Sequence, residues 1–321
     1  MAEPIGASSG QLLAAAEAFG LGAVTAEPFV AARGHQGRVW RLTTHRGSYA
    51  VKELLIRLTE DDVRVDVALQ STMVGRGVYA PRPVLTGSGA ALVTVDGAQF
   101  RAYTWMDLAE PRRDLDPRAI GRLVATLHRD PIPAQPSAGD AWYTEPVPAH
   151  HWAEAAAQLA AVNAPFAAEF AASVEAFVDL QDLFRRPDPT QLCHRDLWAD
   201  NLRLTGDGGL CVIDWDNCGR AEPAQELAVP LVEFCYDDGD RAALMYRAYR
   251  RAGGPGRLTD PGDFTMVLAQ LGHFAVTAAR EWLQAGDQTS KARAEAWFRE
   301  GWEQPLGRPQ IHHLLDAVRG S

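Results

Sequence analysis

The residues of this chain best placed to do chemistry lie in its second half. His194-Arg195-Asp196-Leu197-Trp198-Ala199-Asp200-Asn201 follows a short apolar run, Leu192-Cys193. A second apolar run, Leu210-Cys211-Val212-Ile213, ends at Asp214. Between them Gly206-Asp207-Gly208-Gly209 reads as a hairpin turn. The pattern H-R-D-L-x-x-x-N, followed by an apolar strand ending in Asp, is a phosphoryl-transfer arrangement. In it Asp196 accepts the proton of an attacking hydroxyl. Asn201, five residues on, and Asp214 supply oxygen donors for Mg²⁺, which takes hard oxygen ligands and few of them from protein. A polar surface loop beside a hairpin would use the same residue types. The apolar strands that flank the acids are what favour chemistry.

A second candidate comes from what the chain avoids. Of 31 basic residues only two are lysines, Lys52 and Lys291. Where arginine serves every generic cation position, a surviving lysine points to a place that needs a compact ammonium rather than a planar guanidinium. Lys52 ends the strand-like run Tyr49-Ala50-Val51-Lys52, whereas Lys291 reads as a random survivor.

These residues need elements to hold them. Ser9 to Gly20 predicts an amphipathic helix capped by Ser9 and stopped by Gly20 and Gly22. Three short strands follow: Phe29-Val30-Ala31-Ala32, Arg38-Val39-Trp40-Arg41-Leu42, and the strand ending in Lys52. The turn Arg33-Gly34-His35-Gln36-Gly37 joins the first two, and Gly34 and Gly37 there would let backbone approach a phosphate. Thr59-Glu60-Asp61-Asp62 has the form of a capping box and opens a helix to about Gly75. An acid on that helix is expected to pair with Lys52; Asp62 and Asp66 are the candidates, with Asp66 preferred. Two more strands, Ala91 to Val95 and Gln99 to Trp105, lead to Tyr103-Thr104-Trp105-Met106, where backbone groups would meet a nucleotide base.

From Asp116-Pro117 the texture is helical, with Ile120, Leu123, Val124 and Leu127 on one face. Pro131 to Pro148 reads as a Pro-rich surface excursion, His151 to Phe184 as Ala-rich helix, and everything after Glu222 as helix again. The expected division is a nucleotide-covering lobe over 1–102 and a catalytic, acceptor-binding lobe over 103–321.

Composition bounds the function. With 321 residues and 47% hydrophobic content the chain can build a full core. A net charge of −10 argues against nucleic acid as a partner. No apolar run reaches membrane-spanning length and no leader pattern opens the chain, so a cytoplasmic protein without membrane contact is expected. Cys193, Cys211, Cys218 and Cys235 lack zinc spacing and read as reduced thiols.

The run Ile213-Asp214-Trp215-Asp216-x-x-Gly219-x-x-Glu222-Pro223-x-x-Glu226-Leu227-Ala228 resembles the aminoglycoside phosphotransferase and choline-kinase-like family. The resemblance is strongest from 192 to 228 and includes the glycine turn, the strand lysine and the helix acid. It implies an α+β, two-lobed kinase-like fold: an antiparallel sheet plus helix in the N-terminal lobe and a larger, mainly helical C-terminal lobe. By position it makes Asp196 the base, Asn201 and Asp214 the Mg²⁺ ligands and Lys52 the phosphate-binding lysine. The chain departs from the family pattern at Arg195, commonly Gly, and at Glu222 and Glu226, commonly Asp.

The function so implied is transfer of the γ-phosphate of ATP (or GTP) to a hydroxyl of a small molecule, first of all an antibiotic or related natural product. A metabolic kinase for an amino alcohol or sugar is the alternative. A protein kinase is disfavoured because D-F-G and A-P-E are missing. A non-catalytic protein would not be expected to keep Asp196, Asn201 and Asp214 together. The acids Glu222, Glu226, Glu233, Asp237, Asp238 and Asp240 raise the further expectation of a cationic acceptor, against the plainer reading of Asp237-Asp238-Gly239-Asp240 as a helix-capping turn.

Overall fold

The computed structural model of the chain describes residues 6–34, 36–303 and 306–320; His35, in the glycine turn, lies outside them. The chain forms two compact units. Among the described residues one comprises 6–111 with Asp200–Cys218, the other Arg112–Ala199 with 219–320. Residues 103–111 therefore share a unit with the strands that precede them.

The first unit opens with α1 (Ser9–Ala18), capped by Ser8, one residue earlier than expected, because Gln11 three residues on completes a capping box with it. Strands β1 (Phe29–Arg33), β2 (Gly37–Thr44) and β3 (Gly47–Leu54) follow. Then come α2 (Glu60–Gly75), β4 (Pro83–Val84), β5 (Val93–Val95) and β6 (Ala98–Thr104). All pairings are antiparallel, in the order β1-β2-β3-β6-β4 with β5 on β6. Leu12, Ala15 and Ala16 of α1 and Phe19 at its C-cap meet Leu42, Val51, Phe100 and Ala102 of the sheet in one buried cluster. Each large side chain in it contributes about 1.5–3 kcal/mol by leaving water. The capping box predicted at Thr59 is present, with Asp62 as the reciprocal acid. Val63, Asp66, Gln70 and Met73 share the buried stripe of α2, so an acid lies on the inner face of that helix.

The second unit is mainly helical: α3 (Pro117–His128), α4 (Ala141–Thr144), α5 (Ala149–Ala161) and α6 (Ala167–Val178) precede the motif. The motif region forms four short strands: β7 (Gln191–Cys193), β8 (Leu202–Leu204), β9 (Leu210–Val212) and β10 (Gly219–Ala221). β8 pairs with β9 within the first unit, and β7 with β10 within the second. Helices α7 (Pro223–Cys235), α8 (Gly239–Arg251), α9 (Thr265–Gln284), α10 (Gln288–Trp302) and α11 (Arg308–Arg319) complete it. α9 is apolar along most of its length, and Trp152, Phe166, Phe170 and Phe298 form a buried aromatic core in this unit. The fold is thus α+β with an antiparallel sheet in one unit and helices in the other, as expected. Among the described residues no helix is long and apolar enough to cross a membrane. All four cysteines are free thiols, and burial pushes Cys211 and Cys235 up to about 12.

Candidate active site

Lys52 lies on β3 directly opposite Arg101 of β6. Two like charges facing each other across a sheet repel, and both side chains are buried. Asp216 resolves the conflict by dividing its carboxylate. Oδ2 accepts from Lys52 Nζ at 2.7 Å and Oδ1 from Arg101 at 2.7 Å. Lys52 gives a second hydrogen bond to Asp214 Oδ1 at 2.8 Å. Burial alone would lower the Lys52 pKa, but the carboxylates of Asp214 and Asp216 outweigh it and hold the ammonium well above its ordinary value. Lys52 is therefore a fixed cation.

The helix acid expected on Lys52 is bonded elsewhere. Asp66 takes both arms of the Arg101 guanidinium at 2.8 Å, and Arg101 stands between it and Asp216. The reason is shape: a planar fork matches a carboxylate with two parallel bonds, which an ammonium does not. Helix α2 is thus tied to Lys52 through Arg101 and Asp216, not directly. Burial raises the Asp66 carboxyl to about 6, against the pull of Arg101. Asp62, the other candidate, is exposed and engaged as the capping acid of α2.

Gly37 shows why the turn before β2 needs glycine. A Cβ there would stand 2.8 Å from the Glu53 carbonyl oxygen and 3.0 Å from Lys52 Cε, so the backbone passes directly over the lysine stem. Gly34 lies in open space, its N–H bonded to the Gly37 carbonyl at 2.9 Å. Tyr103 is packed beside Arg101, whose guanidinium carbon lies 5.4 Å from the ring centroid, and Trp105 receives Arg41 at 4.6 Å.

The β8–β9 hairpin brings Asn201 and Asp214 to one end. Its register pairs Leu202 with Val212, and the Ile213 N–H donates to the Asn201 carbonyl at 3.0 Å. Asn201 and Asp214 therefore flank the same open end. Asp214 sits in left-handed backbone, φ 55°, which costs a non-glycine residue about 1 kcal/mol and which Asp tolerates better than most. Buried Trp215 anchors the turn by donating Nε1–H to the Val212 carbonyl at 3.2 Å. The Asp214 side chain remains 43% exposed. Asn201 is buried and Asp214 is the accessible group at this end; Asn and Asp are oxygen-donor side chains of the kind a hard divalent cation takes.

The loop that carries Asp196 is built differently. Arg195 also has left-handed backbone, φ 65°. Its N–H donates to Glu226 Oε1, and its carbonyl accepts from Gln270 Nε2 at 2.8 Å. Glu226 is fully buried on α7 and shares its other oxygen with His128 Nε2. Burial opposes its ionisation, but the His128 bond and the Arg195 N–H hold the carboxyl below its ordinary range. The other ring nitrogen of His128, Nδ1, lies 3.0 Å from the Tyr249 hydroxyl. That hydroxyl in turn accepts the Gly256 N–H at 2.8 Å.

Sequence reasoning missed Arg101, Asp216, His128, Gln270 and the role of Glu226. Only Asp216 had a local signal, as the second acid of Asp214-Trp215-Asp216. Four of the six acids offered for a cationic acceptor have other partners: Glu222 binds Arg185, Glu226 binds His128, Glu233 binds Arg113, and Asp238 caps α8. The capping reading of that turn is the one the geometry favours.

Comparisons with known proteins bear on the family and the fold. The sequence profile of the phosphotransferase enzyme family matches residues 30–261, well over half the chain. A homoserine kinase from Methylobacterium sp. (strain 4-46) is 27% identical over 266 residues, covering 78% of this chain and 79% of that protein. Among solved structures, a spectinomycin phosphotransferase in complex with ADP and spectinomycin superposes with a TM-score of 0.66 at 12% identity, over 99% of this chain and 100% of that one. An amicoumacin kinase in complex with AMP-PNP and Ca²⁺ gives 0.64 at 15% identity, over 96% and 97%.

Proposed function

Because the chain belongs to the phosphotransferase enzyme family, we propose that it transfers the γ-phosphate of ATP to a hydroxyl of a small molecule, with Mg²⁺ as the metal. The observation that carries this is the fixed ammonium of Lys52, bonded to the Asp214 carboxylate at 2.8 Å at the end of the hairpin that also carries Asn201. Lys52 binds phosphate oxygens as a point charge. Asn201 and Asp214 hold the metal, which when bound neutralises charge on the phosphates. Asp196 takes the proton of the acceptor hydroxyl and aligns its oxygen for in-line attack. The nucleotide base is received along Tyr103 to Trp105, and GTP remains an option for the donor.

For the acceptor, the sequence relatives favour a small hydroxylated amino compound, since a homoserine kinase matches over most of both chains. A hydroxylated antibiotic is the second reading, favoured by the fold shared along nearly the whole chain with a spectinomycin phosphotransferase. A test is ADP release from ATP·Mg²⁺ over a panel holding L-homoserine, other amino alcohols, sugars, spectinomycin and other hydroxylated antibiotics. Phosphorus NMR of the product identifies the ester. One acceptor should raise ADP release far above the water background and yield a phosphate monoester. Failure to bind ATP·Mg²⁺, or an ester formed on a protein substrate instead, would overturn the reading.

A further inference from the structure

Arg195 takes a backbone conformation that glycine would occupy without strain, and the residue there is a buried arginine. Its side chain is fully engaged. Nη1 bonds Asp140 Oδ1 at 2.7 Å, and the guanidinium carbon stands 4.0 Å from the centroid of the Tyr143 ring. It packs so closely on β10 that a Cβ on Gly219 would come within 2.3 Å of it. Asp140 ends a 3-10 turn, Ala138–Asp140, and Tyr143 lies on α4. Both belong to the Pro-rich stretch expected to be a surface excursion. Its inner side is instead fastened to the residue immediately before the proposed base.

The same short helix carries Trp142 on its other side. Trp142 stacks on His273 of α9 at 4.7 Å and leans on Phe274 at 6.0 Å. Phe274 meets Trp198, two residues after Asp196, at 6.1 Å, and Trp297 at 5.7 Å. The segment is thus held at Arg195 and closes back on the catalytic loop at Trp198. Trp142, Trp198, Phe274 and Trp297 are all partly exposed, unlike the buried rings of the core. Partly exposed rings on and around the loop that carries the proposed base suit the carbon face of a small molecule whose hydroxyl points at that base.

We propose that Arg195 is a positioning residue: it fastens residues 138–144 to the catalytic loop and so sets the aromatic face against which the acceptor binds. This rests on the reading of Asp196 as the base. The side chain gives the loop a charged, planar anchor with two simultaneous partners, a carboxylate and a ring, which lysine could only partly replace.

Arg195→Gly is the informative substitution, because glycine keeps the backbone conformation and removes only the anchor. Hydrogen exchange in peptides covering 138–144 should quicken by about tenfold or more, with exchange across the sheet of the first unit unchanged. With L-homoserine and spectinomycin as acceptor probes, the KM of whichever is used by the wild type should rise about tenfold while KM for ATP stays within about twofold. Arg195→Lys should recover part of both effects. Unchanged exchange at 138–144 overturns the proposal, as does an equal rise of both KM values. If Arg195→Gly loosens the whole chain, Asp140→Asn removes the charge that Arg195 pairs with and leaves an amide oxygen that can still accept from Ser137, and unchanged exchange in that variant overturns the proposal too. Should neither probe accelerate ADP release by the wild type, the functional reading is at risk, but the exchange result still decides the role of Arg195.

Discussion

Around Lys52 the charged side chains hold one another. Asp214 and Asp216 bond the ammonium, Asp216 also bonds Arg101, and Arg101 bonds Asp66. Two cations and three carboxylates form one chain of ion pairs. Around Asp196 the bonds instead fix the main chain one residue earlier, where Glu226 takes the Arg195 N–H and Gln270 donates to its carbonyl. A change of one charge in the first region alters the partners of the next, so effects there should be coupled. In the second region a change at the carboxylate itself should leave the loop in place. The two regions therefore call for different kinds of mutational evidence.

The largest effect is expected at Asp214, which bonds Lys52 and is proposed to hold the metal. Asp214→Ala removes a proposed metal ligand and one of the two carboxylates on Lys52, and kcat/KM should fall by on the order of 10⁴ or more. Calorimetric titration should show ATP·Mg²⁺ binding weakened more than binding of free ATP. Asn201→Ala should repeat the pattern more mildly, as a neutral amide is the weaker ligand. Equal losses with and without Mg²⁺ would make both residues structural. Next is Asp196→Asn, with kcat lower by roughly 10²–10⁴ and the Kd for ATP within about twofold. A large loss of nucleotide affinity in that variant would break the contrast, because it would show that the loop does not stand independently of its carboxylate.

Lys52→Arg should cost less, roughly 10–10² in kcat/KM, mostly through KM for ATP. The substitution keeps the charge but places a second guanidinium opposite Arg101, and only one Asp216 carboxylate lies between them. Near-wild-type kinetics would mean that Lys52 is a lysine by accident. A double-mutant cycle of Asp66→Asn with Arg101→Met sharpens the point. The coupling energy in nucleotide binding should be about 0.5–3 kcal/mol, and additivity would separate Arg101 from the lysine.

What could be read from the sequence follows the range of the interactions. Lys52 stood out by composition, and Asn201 and Asp214 by a hairpin whose turn residues lie between them, all local signals. The capping box at Thr59 and the Asp116-Pro117 helix start were local too, and both are present. Arg101 was not legible, because one arginine among 29 carries no mark until the register sets it opposite Lys52. The buried pair of His128 and Glu226 joins residues 98 apart, and no periodicity announces such a contact. The stretch from 131 to 148 runs largely exposed, as its proline content suggests, but Tyr143 is buried and Trp142 stacks on α9, which proline content could not show. Composition reports average exposure, not which two side chains turn inward.

The smallest expected effect on activity concerns Asp66, and the sign of its effect on stability distinguishes two accounts of the lysine region. Burial raises the folded-state carboxyl to about 6, while an unfolded aspartate titrates near its ordinary 3.8. Between those values the folded protein keeps a proton that the unfolded chain has released. The stability contributed by this group is therefore full below about pH 4 and lost as pH rises through about 6. Wild type should lose a few degrees of Tm relative to Asp66→Asn over that window, since a shift of about two units corresponds to roughly 3 kcal/mol and this is a large domain. If the bidentate Arg101 bond dominated instead, the carboxyl would titrate below its ordinary value and wild type would gain Tm relative to the variant as pH rises. Activity gives a second reading of the same group. Protonation near pH 6 loosens one side of Arg101, so kcat/KM for ATP in the wild type should decline on the acid side with an apparent pKa near 6, and Asp66→Asn should lose that limb. A variant that keeps the acid limb would assign it to another carboxylate and leave α2 coupled to Lys52 by packing alone.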